Sequence, residues 1–405
     1  MSHDKAANSV REKRRSSTAL GRELLRSARS CFIFFLATAL LGLLVEAPAF
    51  GQEAGRGADW APSVLQPFWV GSRMSGETLL FVQKPGDKNI TAQLLFVPTK
   101  VITVTSANGA ATFDEGRDYV WKPGSGLLTL TPNSRIPFKT WAQLHPPKGS
   151  LMSLGEAADG KSSLFFEEPG DLFQGLEVAV TYDHDEKWDG AIPQSDGKEL
   201  ARTIERLQAK QLKLVIFGDS VSAGAGASGS FHAPPYQPSY TELVAQGLRA
   251  RYGAEVTLEN LSEGGQDSTW AVKMASRAAA HKPDLVIIGF GGNDATRGIS
   301  GKSFAENIQT VIETIRKTSP NADFILIATM TANPDWPESK AALCQQYRDA
   351  LFRLAGPGVA VADEFSIWQG MLKTKKFLDL TANGINHPND FGHRVYAQVV
   401  LQLLK

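Results

Sequence analysis

KLVIFGDSVSAG, residues 213–224, is the stretch from which the fold can be read. Leu214, Val215, Ile216 and Phe217 make an apolar run of strand length, and Gly218-Asp219 ends it just before a further helical stretch. Downstream the pattern repeats, with helical periodicity at 240–252, 268–281, 303–318, 338–354 and 390–404. Short apolar runs at 255–261, 284–290, 323–329 and 359–363 alternate with these helices. An amphipathic segment, 198–211, precedes the first run. Five near-continuous apolar strands joined by helices predict a parallel sheet covered on both faces, a doubly wound α/β domain. In such sheets ligands and chemistry collect at the carboxyl ends of the strands.

Upstream, from about residue 58 to 190, the period is two. Runs rich in Val, Thr, Leu and Phe are broken by Pro85-Gly86, Asn108-Gly109 and Gly124-Ser125-Gly126, the turn chemistry of antiparallel hairpins. This half predicts a β-sandwich, with no helix of any length, serving as a packing partner or a substrate-orienting module. Asp183, His184 and Asp185 are adjacent, so on a strand they alternate faces and cannot converge on one ion; a solvated turn is expected there. Residues 191–211 form the expected linker and helix, and 212–405 the second domain.

The chain has 405 residues with 42 basic and 42 acidic side chains, which excludes disordered, fibrous and polytopic membrane classes. Eight of the basic and four of the acidic residues precede residue 52. Within that leader a basic stretch is followed by an apolar run spanning fifteen residues, 31–45, and by the small-residue segment Ala47-Pro48-Ala49-Phe50-Gly51. A bilayer span takes about 20 residues, so residues 1–51 read as a signal peptide, cleaved near Ala49 or Gly51. The expected product is secreted or periplasmic, with no stable membrane span. Its net charge of −4 argues against a nucleic-acid partner. Only Cys344 survives such processing, and it reads as a small buried hydrophobe.

At the strand ends stand four sets of residues suited to acyl transfer. Ser220 follows the first strand, placed as a nucleophile. Ser262-Glu263-Gly264-Gly265 follows the second and offers glycine N–H groups, and Gly291-Gly292-Asn293-Asp294 follows the third with an uncharged amide donor. Asn386-His387-Pro388 precedes the last helix. As an ordered set these resemble the SGNH (GDSL) hydrolase family over residues 213–405. The resemblance implies a five-stranded sheet of flavodoxin-like order and a cofactor-free serine esterase. It assigns Ser220 as nucleophile, His387 as base, and Ser220, Gly265 and Asn293 as oxyanion donors. Other motifs fail on context. Gly224-Ala225-Gly226-Ala227-Ser228-Gly229 matches a dinucleotide pattern but runs into Pro234, Pro235 and Pro238 where a helix should start. Neither a G-x-S-x-G elbow nor an H-E-x-x-H zinc motif is present.

The family usually has Asp three residues before its histidine, and here that residue is Gly384. With one extra loop residue Asn383 falls in its place, its carbonyl oxygen accepting from the imidazole Nδ1–H; Asp379 is a charged alternative and a backbone carbonyl a third. Asp390 reads as the N-cap of the last helix. The expected substrate is an ester, with a small acyl group such as acetyl on a glycan, because residues 224–239 and 333–339 are rich in Gly, Ser and Pro and short of large aliphatics. Trp270, Trp336 and Tyr236 lie near strand ends, where rings could stack on a sugar or pack into the core. The alternatives are a lipase, lysophospholipase or thioesterase, and a non-catalytic glycan-binding protein on the same scaffold. The oligomeric state is left open.

Overall fold

The computed structural model describes residues 64–168, 170–195 and 197–405. The expected signal peptide, with Cys31, Ala49 and Gly51, lies outside the described residues. Strands β1 (Arg73–Gln83), β2 (Thr91–Gln93), β3 (Pro98–Ser106), β4 (Tyr119–Trp121), β5 (Leu127–Leu130), β6 (Phe138–Thr140) and β9 (Glu177–His184) form one sheet of order β3-β9-β1-β2-β5-β4. Its pairings are antiparallel except that β6 runs parallel beside β1. The expectation of two facing sheets is replaced by a single one, because β1 is long enough to pair with β9 over its first part and with β2 and β6 at its end. Strands β7 (Ser153–Leu154) and β8 (Leu164–Phe165) make a separate ribbon. Two short helices, Trp141–Leu144 and Asp171–Leu176, also interrupt this half. His184 is no solvated turn residue: it ends β9 buried, its ring stacked on Phe96 with centroids 4.1 Å apart, while Asp183 pairs with Arg73 at 2.7 Å.

The second half is built on β10 (Gln211–Gly218), β11 (Glu255–Asn260), β12 (Leu285–Gly289), β13 (Asp323–Ile327) and β14 (Val359–Ala362), all parallel, in the order β11-β10-β12-β13-β14. Alternate residues of each strand serve opposite faces. Leu214, Ile216, Leu285 and Ile287 join the core beneath helices Tyr240–Tyr252 and Asp390–Gln402. Val215, Phe217, Val286 and Ile288 join the other, beneath Ser268–Ala280, Gly301–Arg316 and Ala341–Leu354. Each such fully buried chain contributes roughly 1.5–3 kcal/mol of transfer free energy. This double burial is why the strands read as unbroken apolar runs. Helix Glu364–Met371 was not legible, since its apolar residues follow β14 with only Asp363 as a cap signal.

The two halves share a hydrophobic core that includes Phe68, Leu79 and Tyr182 from the first and Ile367, Phe391 and Val395 from the second. Polar contacts line the same seam. Glu77 on β1 and Lys375 form an ion pair whose side chains are both fully buried, and Arg394 donates to the carbonyls of Ser75 and Gly76. Asn389 donates to Glu177 on β9 at 2.7 Å, and its own carbonyl oxygen accepts from Gly392 N–H. The N-cap of the last helix is therefore Asn389; Asp390 is its first helical residue and accepts from Ser228 N–H at 2.8 Å.

Candidate active site

The turn after β10 is anchored on its neighbour strand. Asp219 N–H donates to the carbonyl of Gly289 at 2.9 Å, and the Asp219 carboxylate accepts from Val221 N–H at 3.1 Å, capping the one-turn helix Ser220–Ala223. A Cβ on Gly218 would stand 2.5 Å from the Gly289 oxygen, so only glycine lets the strands approach this closely. Asp219 is buried, and burial pushes its carboxyl up to about 7 against the pull of the Val221 hydrogen bond and the His387 charge. Ser220 is thereby presented at the carboxyl end of the sheet with its hydroxyl 2.9 Å from His387 Nε2.

The loop from Thr381 to Asn389 is wound around Asn383. Its carbonyl oxygen accepts from the N–H groups of Ile385 (2.9 Å), Asn386 (3.0 Å) and His387 (3.2 Å). With that oxygen committed to backbone donors, the Asn383 amide nitrogen is the atom facing His387 Nδ1, at 3.1 Å. An amide nitrogen donates and cannot take the Nδ1 proton. The expected carbonyl contact from Asn383 is therefore absent. The acceptor beside Nδ1 is Glu168, whose Oε1 lies 2.8 Å away and also accepts from the Asn383 amide at 2.9 Å. Burial pushes the Glu168 carboxyl up, but the hydrogen bond and charge of His387 with the Asn383 amide outweigh it and hold the group below the usual carboxylate range. Asp379 sits elsewhere: fully buried at the seam, it accepts from Leu80 N–H at 2.9 Å and pairs with Lys376 at 3.1 Å.

Gly384 explains why no acid stands three residues before His387. Its φ is +83°, and a Cβ there would lie 2.5 Å from the carbonyl oxygen of Phe165 at the end of β8. The backbone of the β7–β8 ribbon occupies that space, and three residues after Phe165 the same segment delivers Glu168.

Two further loops flank Ser220. In the turn after β11 a Cβ on Gly264 would be 3.8 Å from Ser220 Cβ, and the next residue, Gly265, has its carbonyl held by Arg297 Nη2 at 2.8 Å. Arg297 also binds Asp267 at 2.8 Å, pinning the turn from both sides. After β12, Asn293 lies in helix Gly292–Thr296; its amide spends one hydrogen on Gln266 O at 2.9 Å and keeps the other. Asp294 fixes this helix to the start of helix Ser268–Ala280 by accepting from Ser268 N–H at 3.1 Å, and burial raises its carboxyl.

Residues 216–395 match the model of the GDSL-like lipase/acylhydrolase family. The chain carries a GDSL-like lipase/acylhydrolase domain. An arylesterase of Vibrio mimicus is 31% identical over 110 residues, 27% of this chain and 51% of that protein. Esterase TesA of Pseudomonas aeruginosa is 29% identical over 118 residues, 29% of this chain and 55% of that protein. The chain thus spans about half the length of the curated relatives it matches. Among solved structures, a two-domain esterase (CEX) active on acetylated mannans superposes with a TM-score of 0.41 at 20% identity, over 51% of this chain and 53% of that one.

In the GDSL-like domain a narrow cavity of about 30 Å³ adjoins Ser220, with Asn293, Thr329, Met330, Trp336 and Asn386 among its walls. Trp336 is thus at the site. Trp270 packs on Phe217 and Phe290, at centroid distances of 5.5 and 6.2 Å, and Tyr236 is half-exposed on another loop; neither lines the cavity. Cys344 is buried against the cavity floor, and burial pushes its thiol up to about 12. Among the described residues no three His, Cys, Asp or Glu side chains group as a metal site. Glu168 was missed because a single acid in an irregular segment carries no period and no motif. Its only trace in the sequence was negative, a glycine where an acid was due.

Proposed function

We propose that the protein is a serine ester hydrolase that removes small acyl groups, acetyl foremost, from carbohydrate esters. The observation that carries the reading is the chain of contacts Ser220 Oγ to His387 Nε2 at 2.9 Å and His387 Nδ1 to Glu168 Oε1 at 2.8 Å. In this mechanism Glu168 accepts a hydrogen bond from Nδ1–H and so fixes the tautomer that leaves Nε2 free as base. His387 takes the proton of Ser220 as its oxygen attacks the ester carbonyl, and returns it to the departing alcohol. Water, deprotonated by the same imidazole, then attacks the acyl-enzyme; the carboxylic acid leaves and the Ser220 hydroxyl is restored. The N–H groups of Ser220 and Gly265 and the free amide hydrogen of Asn293 hold the oxyanion of both tetrahedral intermediates.

The family match and the esterase names of both curated relatives support hydrolysis of an ester. The size of the cavity supports a small acyl group: about 30 Å³ takes a methyl, while an extended acyl chain needs a groove. Trp336 at its wall and the polar Thr296, Glu338, Ser339 and Asn386 around it suit a hydroxylated alcohol such as a sugar. The leader supports action outside the cytoplasm.

The test is hydrolysis of p-nitrophenyl esters from C2 to C12, followed by release of acetate from acetylated polysaccharides. Acetate should be the best of the series, and Ser220→Ala should lower its hydrolysis at least about a thousandfold with an unchanged melting curve. A full rate in Ser220→Ala refutes the serine mechanism, and a preference for C8 or longer refutes the small acyl site.

A further inference from the structure

Asn386 lines the cavity at Ser220 and precedes the base in the chain, yet the ester-cleaving steps make no use of it. Its orientation is set by its neighbours. The Asn383 carbonyl oxygen is taken up by the N–H groups of Ile385, Asn386 and His387, which leaves the Asn383 amide nitrogen as the outward donor. The two hydrogens of that nitrogen go to Glu168 Oε1 at 2.9 Å and to the carboxamide oxygen of Asn386 at 3.1 Å. The same nitrogen stands 3.1 Å from His387 Nδ1, so the Asn386 carboxamide lies beside the imidazole. An amide whose oxygen is held from one side presents its NH₂ to the other. Among the described residues no group accepts from the Asn386 nitrogen and none seals it from solvent, and the residue as a whole is partly exposed. The outcome is a hydrogen-bond donor of fixed direction, open to a ligand, on the wall of the ester-cleaving site.

We propose that the Asn386 amide binds a free hydroxyl on the ring carbon next to the one that carries the ester oxygen, so that the preferred substrate is a monoester of a vicinal ring diol. The assignment rests on the ester-hydrolase reading above and narrows it. The geometry of attack gives the direction. As Ser220 Oγ adds to the carbonyl carbon, the carbonyl oxygen turns toward Gly265 and Asn293, on the loops after β11 and β12. The departing oxygen comes within hydrogen-bond reach of His387 Nε2, which hands it the proton. A donor held beside the imidazole therefore meets the alcohol part of the ester and not the acyl part. Gauche oxygens on neighbouring ring carbons stand about one hydrogen-bond length apart, so one can face Asn386 while the other faces Nε2. The polarity agrees as well. An amide NH₂ only donates, and a neutral hydroxyl accepts from it.

The test compares trans-2-hydroxycyclohexyl acetate with trans-2-fluorocyclohexyl acetate, which is close to it in size but a poor hydrogen-bond acceptor. In the wild-type protein kcat/KM should favour the hydroxyl compound at least about tenfold more than hydroxide ion does in free solution. Asn386→Leu and Asn386→Ala should bring that ratio down to the solution value, and either substitution suffices should the other not fold. The ratio is taken within each variant, so a general loss of turnover from a disturbed loop cancels and only contact with the hydroxyl moves it. The rate of p-nitrophenyl glycolate over p-nitrophenyl acetate, which places the hydroxyl on the acyl side, should keep one ratio in wild type and variants. The proposal is overturned by a wild-type preference no larger than that in solution, by a preference that survives the substitutions, or by a change confined to the glycolate pair. Failure of the wild type to cleave p-nitrophenyl acetate overturns the ester-hydrolase reading and this one with it. Cleavage of that ester without the hydroxyl preference overturns this one alone.

Discussion

The half built on the parallel sheet and the half built on the antiparallel sheet differ in how their functional residues are attached to the chain. In the first, Ser220, Gly265 and Asn293 each follow a strand by a few residues, and His387 precedes a helix; each is placed by its own local turn. In the second, Glu168 sits 219 residues from its partner, on a segment between the β7–β8 ribbon and helix Asp171–Leu176. Local placement leaves a motif, and long-range placement leaves none. The same contrast holds for the fold. Strands buried on both faces announce themselves as apolar runs, whereas the joining of the antiparallel strands through β1 depends on which end of a long strand each neighbour chooses.

The largest effect that could break this contrast comes from Glu168. If the antiparallel half merely supports its neighbour, removing one 39%-exposed carboxylate should cost little. The contact with His387 says otherwise: Glu168→Ala should lower kcat for p-nitrophenyl acetate by about a thousandfold, as loss of a histidine-orienting acid does in serine hydrolases, with Tm almost unchanged. Glu168→Gln should recover part of the rate, since an amide oxygen can still fix the tautomer but brings no charge. An unaltered kcat in Glu168→Ala would mean that Asn383 and the backbone alone hold the imidazole.

Next in size is Asn293, a test of the locally placed set. Asn293→Ala should lower kcat by ~100- to 1000-fold with little change in KM, because its free amide hydrogen meets full charge only in the transition state. A change confined to KM would assign it to ground-state binding. Asp379 sharpens the comparison from the other side. It was legible as an acid near His387, yet distance along the chain misled: it accepts from Leu80 N–H across the seam and pairs with Lys376 on its own turn. Asp379→Asn should cost about 1–3 kcal/mol of stability by leaving Lys375 and Lys376 less compensated, with kcat within about tenfold of wild type. A collapse of kcat at unchanged Tm would restore it to the active site.

Candidate residues that a strand end carries could thus be read from the sequence, and one that arrives from a different sheet could not. Gly384 marks the boundary between these cases. Its motif position was readable, but the reason no side chain fits there is the Phe165 carbonyl, a contact no local pattern encodes.

The smallest expected effect on catalysis belongs to Asp219, which tests whether the strand-end turn is self-sufficient. Its carboxyl titrates at about 7 in the folded protein because burial disfavours the charge, against about 3.9 in the unfolded chain. Between those values the folded state holds the extra proton, so this group's contribution to stability falls as pH rises from about 4 to about 7 and is constant above. Asp219→Asn keeps an oxygen for Val221 N–H and removes the ionisation. The difference in Tm between variant and wild type should be near zero at pH 4.5 and rise by several degrees at pH 8, each kcal/mol being worth about 2–4 °C in a chain of this kind. Differencing against wild type cancels Glu177 and Glu364, buried acids that do not act on Asp219 and whose carboxyls burial also raises. A pH-independent difference, or one that grows toward acid, would mean that Asp219 is ionised throughout and that the turn beneath Ser220 is stabilised by a charge rather than by a hydrogen-bonded neutral acid.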